Sequence, residues 1–145
     1  MGKPKVMVAI RDASSVEGLV TLACQVSQSM NADIKALHVV VVPAATPLDA
    51  EDEALDREGK ELLAHAKRVA EKSCGSFSTE LLRARGVGEA LVGEARDQGV
   101  ELLVMGHHKP HPHSLGESFL GSTVRYVAHH APCRVIVQIP ALEHP

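Results

Sequence analysis

The stretch from Leu102 to Ile139, LLVMGHHKPHPHSLGESFLGSTVRYVAHHAPCRVIVQI, limits the possible folds more than any other. Leu102-Leu103-Val104-Met105 is a short apolar run closed by Gly106, the pattern of a parallel strand buried on both faces. A long loop follows. Gly121-Ser122-Thr123 then opens a helical pattern that puts Val124, Val127, Ala128 and Ala131 on one face. Pro132 stops that helix, and Cys133 to Ile139 is a second apolar strand. A glycine and two hydroxyl residues at a helix start offer backbone N–H groups, small side chains and the positive helix end. That chemistry suits an anion, phosphate first. The same three residues also make an ordinary N-cap.

The preceding chain repeats the strand–helix alternation. Lys5 to Ile10 is a compact apolar strand ending in the polar turn Arg11 to Ser15, where Ser14 and Glu17 fit a capping box. Val16, Leu19, Val20, Ala23, Val26 and Met30 follow helical spacing, and Asn31-Ala32-Asp33 breaks it. Ile34 to Val42 is apolar on both faces, so helices should cover both sides of it. After the loop Pro43 to Pro47, Asp49 is expected to cap a long helix with Glu51, Asp52 and Glu53 in its first turn. Leu55, Gly59, Leu62, Ala66 and Val69 form its expected buried stripe, which ends near Cys74-Gly75. Phe77 to Arg85 is the third strand. Gly86 to Glu89 turns into a short helix through Leu91, Val92 and Ala95, and Gly99 ends it. The order β-α-β-α-β-α-β-α-β predicts one domain, an open parallel sheet with helices on both faces.

Charge and composition narrow the function. Fifteen basic against eighteen acidic side chains leave a net charge of −3, without the electrostatic footprint of a nucleic-acid binder. Phe77, Phe119 and Tyr126 are the only aromatics, too few for a base-stacking surface. The longest apolar run, around Val39 to Val42, is far too short to span a bilayer. No signal-peptide pattern is read, and Val6 stands where myristoylation needs Ser or Thr. A cytoplasmic, non-embedded protein is expected. Cys24, Cys74 and Cys133 are read as apolar packing residues in a reducing compartment.

Gly106, the long loop, Gly121-Ser122-Thr123-Val124 and the His130-Ala131-Pro132-Cys133 strand entry together resemble the universal stress protein family, and the resemblance covers nearly the whole chain. It implies strand order 3-2-1-4-5 in a five-stranded Rossmann-like sheet, with strands one and four at a topological switch point. In an open α/β sheet that is where ligands bind. It also implies an ATP site, with Mg²⁺ a possible companion. Val39 would line the base pocket, Ile10 would close the end of strand one, and the backbone of Met105 and Gly106 would meet the sugar and phosphates. Gly121, Ser122 and Thr123 would cradle phosphates. Asp12 matches the family's acidic residue with one residue inserted, placing it toward a ribose hydroxyl or Mg²⁺. His108 faces the phosphates in the family pattern. Lys109 replaces the motif's second glycine, where it either obstructs the ligand or neutralises a phosphate. The loop onward to Gly121 is two residues longer than the pattern.

Four imidazoles, His107, His108, His111 and His113, crowd the loop; adventitious rather than structural metal binding is the expectation, since no Cys, Asp or Glu completes a site there. No nucleophile–base pair, paired carboxylates or Walker lysine is evident, which favours a binding module over an enzyme, slow hydrolysis of ATP aside. The last strand, Cys133 to Ile139, is apolar and lies at an edge in the implied order, and the resemblance implies a homodimer through it. Val39 to Leu48, VVVVPAATPL, also resembles stress-protein domains that accompany transporters, so a transporter is one expected partner. Two functions stand side by side: a nucleotide-responsive stress module, and a nucleotide-free dimeric interaction protein of the same fold.

Overall fold

The computed structural model describes residues 2–107 and 121–139. Five strands alternate with four α-helices: β1 Lys5–Ala9, α1 Val16–Met30, β2 Asp33–Val41, α2 Glu53–Glu71, β3 Phe77–Ala84, α3 Val87–Asp97, β4 Leu102–Gly106, α4 Ser122–His130 and β5 Arg134–Gln138. A short 3-10 turn, Ala13–Ser15, leads into α1. The strands form one parallel sheet in the order β3-β2-β1-β4-β5, as the resemblance implied. Register is fixed centrally by Val8, which pairs with Ala36 on one side and Val104 on the other.

Alternation along the strands splits the core into two layers, because successive side chains leave opposite faces of the sheet. On one face Val6, Val8, Ile34, Ala36 and Val104 meet Leu19, Ala23, Leu62 and Ala66 of α1 and α2. On the other, Met7, Leu37, Leu103 and Met105 meet Leu91, Ala95, Val124 and Val127 of α3 and α4. Leu37 and Leu103 are wholly inaccessible. Helix contacts are close where a side chain is missing. A Cβ on Gly88 would come within 2.9 Å of the Tyr126 ring, so α3 passes α4 at its glycine.

Helix ends follow local chemistry with corrections to the sequence reading. α1 ends at Asn31, which takes left-handed backbone (φ 53°) that asparagine tolerates. α2 is capped by Asp52, whose carboxylate accepts from the Leu55 N–H at 3.2 Å, and not by Asp49. That start turns Leu55 outward (42% exposed) and Asp56 inward (8%). Adjacent residues on a helix stand about 100° apart, so a small error in phase swaps an apolar for a polar position. The buried Asp56 is tolerable because Arg83 of β3 donates to its carboxylate. Ala128, expected on the buried face of α4, is exposed.

The cysteine reading changes too. Cys24 and Cys74 are joined in a disulfide with a Cα–Cα distance of 5.5 Å, and Cys133 remains a free thiol. The turn after α2 lies over the middle of α1, bringing together residues that are 50 apart in sequence. Burial raises the thiol pKa of Cys133 above its ordinary value, against a smaller lowering from the Leu103 backbone.

Candidate functional site at the carboxyl edge of the sheet

Since all strands run one way, every helix starts at the carboxyl edge. β1 lies between β2 and β4, and the chain leaves β1 for the α1 face and β4 for the α4 face. The divergence opens a crevice at the ends of β1 and β4.

The β1 side is held by a compact hydrogen-bonded turn. Ile10 is buried and its N–H donates to the Leu37 carbonyl at 2.8 Å. Asp12 then caps the 3-10 turn: its Oδ1 accepts from the Ser15 N–H at 3.2 Å and from the Ser14 hydroxyl at 2.7 Å. The Ser15 hydroxyl donates back to the Asp12 carbonyl at 3.1 Å. The expected Ser14–Glu17 capping box does not form, because the Ser14 hydroxyl already serves Asp12 and α1 begins at Val16 with Ser15 as N-cap.

On the β4 side, Met105 is buried and Gly106 ends the strand. A Cβ on Gly106 would touch Leu19 Cδ1 at 3.4 Å, so the backbone there lies tight against α1. His107 follows, 7% exposed, its N–H donating to the Gln138 carbonyl at 3.1 Å. Its imidazole stands 3.8 Å from where a Gly121 Cβ would be, which fixes the start of α4 beside the end of β4. Gly121 is the N-cap, in extended backbone, and supplies no side-chain cap. Its carbonyl accepts from the Arg125 N–H at 3.0 Å, the first helical bond. The N–H groups of the following residues precede the intrahelical ladder and point out of the helix end. Ser122 is exposed and Thr123 half-buried beside them.

Of the residues singled out in the sequence, Ile10, Asp12, Met105, Gly106, Gly121, Ser122 and Thr123 therefore stand at the carboxyl ends of β1 and β4 or at the start of α4, on one edge of the sheet. Val39 lies on the neighbouring strand β2, half-buried on the α3/α4 face. His108 and Lys109 lie outside the described residues, as do His111 and His113. Two contributors were missed. His107 counts among the four loop imidazoles in the sequence, and its burial comes from the return of α4 beside the end of β4. Gln138 closes the crevice from β5: its carbonyl holds His107, and its Oε1 would stand 3.3 Å from a Cβ on Gly18 of α1.

A cavity of about 220 Å³ opens at the opposite, amino edge, lined by Lys5, Asp33, Lys35, Ser76 and Gln98 among others. Its polar groups are largely committed. Asp33 N–H donates to Pro4, Ile34 N–H to Ser76, and Lys35 pairs with Glu80 and Glu94. The crevice, with helix-end amides facing it, is the better candidate. Among the described residues no cluster of His, Cys, Asp or Glu is placed to hold a metal ion. No helix there is long and apolar enough to cross a membrane.

Compared with models of known families, residues 4–138 match that of the universal stress protein family. The chain belongs to that family. A search of curated proteins gives no significant match. Among solved structures, this universal stress protein is similar to one from Archaeoglobus fulgidus, at 20% identity and a TM-score of 0.76, over 92% of each chain. It is also similar to the universal stress protein from Archaeoglobus fulgidus in complex with dAMP, at 18% identity and a TM-score of 0.72, covering 94% of this chain and 97% of that one. A third relative in structure is a family protein from Arabidopsis thaliana with AMP bound, at 18% identity and a TM-score of 0.68, covering 95% and 92%. These likenesses establish the Rossmann-like α/β fold.

Proposed function

We propose that this universal stress protein is a stress-response regulator that binds an adenine nucleotide, ATP or AMP, in the crevice between β1 and β4. The observation that carries the proposal is the start of α4. An N-cap without a side chain leaves the first-turn amides open toward the crevice, where the helix dipole favours a phosphate. In this reading Gly121, Ser122 and Thr123 hold phosphate oxygens, and the backbone of Met105 and Gly106 lies along the sugar and phosphates. Half-buried Val39 offers apolar surface to the base, and Ile10 lies buried behind the end of β1. Asp12 is the acidic group on the ribose or Mg²⁺ side, its Oδ1 engaged by the turn it caps. His108 and Lys109 enter as further phosphate partners on the ground of their place in the motif alone. That solved structures with bound dAMP and AMP share this fold supports the choice of ligand class.

The residues around the crevice supply orientation and charge rather than a nucleophile with a base, so the role proposed is binding and not turnover. The regulator acts as a cytoplasmic homodimer paired through the last strand, Cys133 to Ile139, with a protein partner, a transporter among the candidates. Calorimetric titration of ATP with Mg²⁺ and of AMP into wild type and Gly121→Val tests the proposal. Among the described residues a Cβ at Gly121 would come no closer than 3.8 Å, to His107, so the added bulk falls chiefly on the ligand. Wild type is expected to bind and the variant to lose binding at least about tenfold, equal to ~1.4 kcal/mol. Absence of heat in both proteins at millimolar nucleotide would leave a nucleotide-free dimeric interaction protein in which Gly121 only caps a helix.

A further inference from the structure

We infer that Cys74 and Cys24 form a reversible thiol–disulfide exchange site, Cys74 the entry thiol and Cys24 the resolving one. The inference is independent of the nucleotide reading, since the pair lies on α1 and the α2–β3 turn and shares no residue with the crevice.

The two sulfurs differ in access. Cys74 is half-buried in a turn whose neighbours Lys72, Ser73 and Gly75 are exposed, whereas Cys24 is 1% exposed within the core under α1. A small disulfide can reach the first sulfur and not the second. The pair is also preorganised without the bond. Cys74 N–H donates to Ala70 at 2.7 Å, Ser73 N–H to Ala70 at 2.9 Å, and Gln28 Nε2 reaches from α1 to the Ser73 carbonyl at 2.6 Å. The first two contacts fix the turn to the end of α2 and the third ties it to α1, and none of them runs through sulfur. The two Cα atoms, 5.5 Å apart, lie inside the range of about 4.4–6.8 Å that a disulfide spans. Closure and opening therefore require no refolding. The pair is selective as well. Cys133 packs in the opposite core layer, across the sheet, and its burial disfavours the thiolate, so it neither competes for nor scrambles the pair.

The chemistry balances with a low-molecular-weight disulfide as oxidant. The Cys74 thiolate attacks one sulfur of the small disulfide and expels one thiolate, leaving a mixed disulfide on Cys74. The Cys24 thiolate then attacks the Cys74 sulfur and expels the second thiolate. Two protein thiols become one disulfide, one small disulfide becomes two thiols, and excess reduced thiol runs the exchange backward. The closed bond links α1 to the turn beyond α2 across a 50-residue separation, which restricts the unfolded chain and raises the melting temperature by roughly 5–15 °C.

The test is equilibration of the full chain in buffers of graded oxidised-to-reduced glutathione ratio. Alkylation in denaturant and intact mass then count thiols, with melting curves recorded in parallel. The expected result is one transition from three alkylated thiols to one, reversed by added reductant, with the oxidised form melting higher. Cys24→Ala, which keeps a small apolar group in the core, should trap one glutathione per chain, mapped by peptide mass to Cys74. Three thiols at every ratio, one thiol at every ratio, or an adduct on Cys133 instead of Cys74 would each overturn the inference. The wild-type titration decides even if the variant fails to fold.

Discussion

Gly59 and Gly93 are both helix glycines, yet alanine should move stability in opposite directions at the two. In α2, a Cβ on Gly59 would lie 2.5 Å from Leu81 Cδ1 and 2.8 Å from His38 Cδ2, far inside contact distance. Leu81 ends in a flexible methyl and can give way. His38 is held, because its Nδ1 lies 2.7 Å from the Ile10 carbonyl. Overpacking of this kind costs about 1–3 kcal/mol, and losing the His38 bond adds about 1 kcal/mol. Replacing glycine by alanine in a helix returns about 1 kcal/mol. Gly59→Ala should therefore destabilise by ~1–3 kcal/mol. In α3, a Cβ on Gly93 would meet nothing within 4 Å, so only the helix gain remains and Gly93→Ala should stabilise by ~0.5–1 kcal/mol. With a urea m-value of about 2 kcal/mol/M, the Gly59→Ala midpoint should fall roughly 0.5–1.5 M below wild type and the Gly93→Ala midpoint rise roughly 0.25–0.5 M above it. Gly59→Ala at or above the wild-type midpoint, with m unchanged, would refute the packing of α2 on β2 and β3 described above.

Three other outcomes follow from particular contacts. Arg83→Met should cost about 1–3 kcal/mol in urea unfolding by stranding the buried Asp56 carboxylate, whose Oδ1 already has no hydrogen-bond partner, and Asp56→Leu in the same chain should recover most of it. Desolvation, then the neighbouring Glu80 charge, raises the Glu94 pKa above its ordinary 4.5, against the opposing pull of Lys35. A raised folded-state pKa stabilises the protein at pH below the unfolded value and is lost as pH climbs through the folded one. Glu94→Gln should therefore gain on wild type as pH rises from below about 4.5 toward neutrality in a pH series of melts, and a variant that loses ground to wild type over that range would contradict this. At β5, Gln138 directs its carbonyl to His107, so strand alternation turns the N–H of Val137 away from β4; Val137→Pro should leave the fold intact and shift sedimentation from dimer to monomer.

The alternation of apolar runs with 3.6-residue stripes made the order of elements readable, and the resemblance around Gly121 and Pro132 supplied the strand order. What escaped lay in helix phase and in long-range meetings. Asp52 rather than Asp49 caps α2 because only Asp52 sits three residues before an open amide, at Leu55, and nothing local distinguishes the two aspartates. Asp56 reads as surface until Arg83, on another element, is placed beside it. Cys24 and Cys74 meet only after α1 and the α2–β3 turn stack, a fact of tertiary structure that composition cannot express. At the site, the Gly-Ser-Thr turn was legible because its chemistry is local. The burial of His107 against Gly121 was not, because it depends on where α4 returns to the sheet.

The proposed function places a nucleotide phosphate at the start of α4, opposite the end of β1. Backbone amide chemical shifts of the ¹⁵N-labelled protein, followed during titration with AMP and then ATP, test it directly. The largest changes are expected at Ile10 to Ser15, at Gly106 and His107, and at Gly121 to Thr123, with Lys5, Asp33, Ser76 and Gln98 at the amino edge unmoved. Changes centred on that amino-edge cavity, or none anywhere at saturating nucleotide, would contradict it.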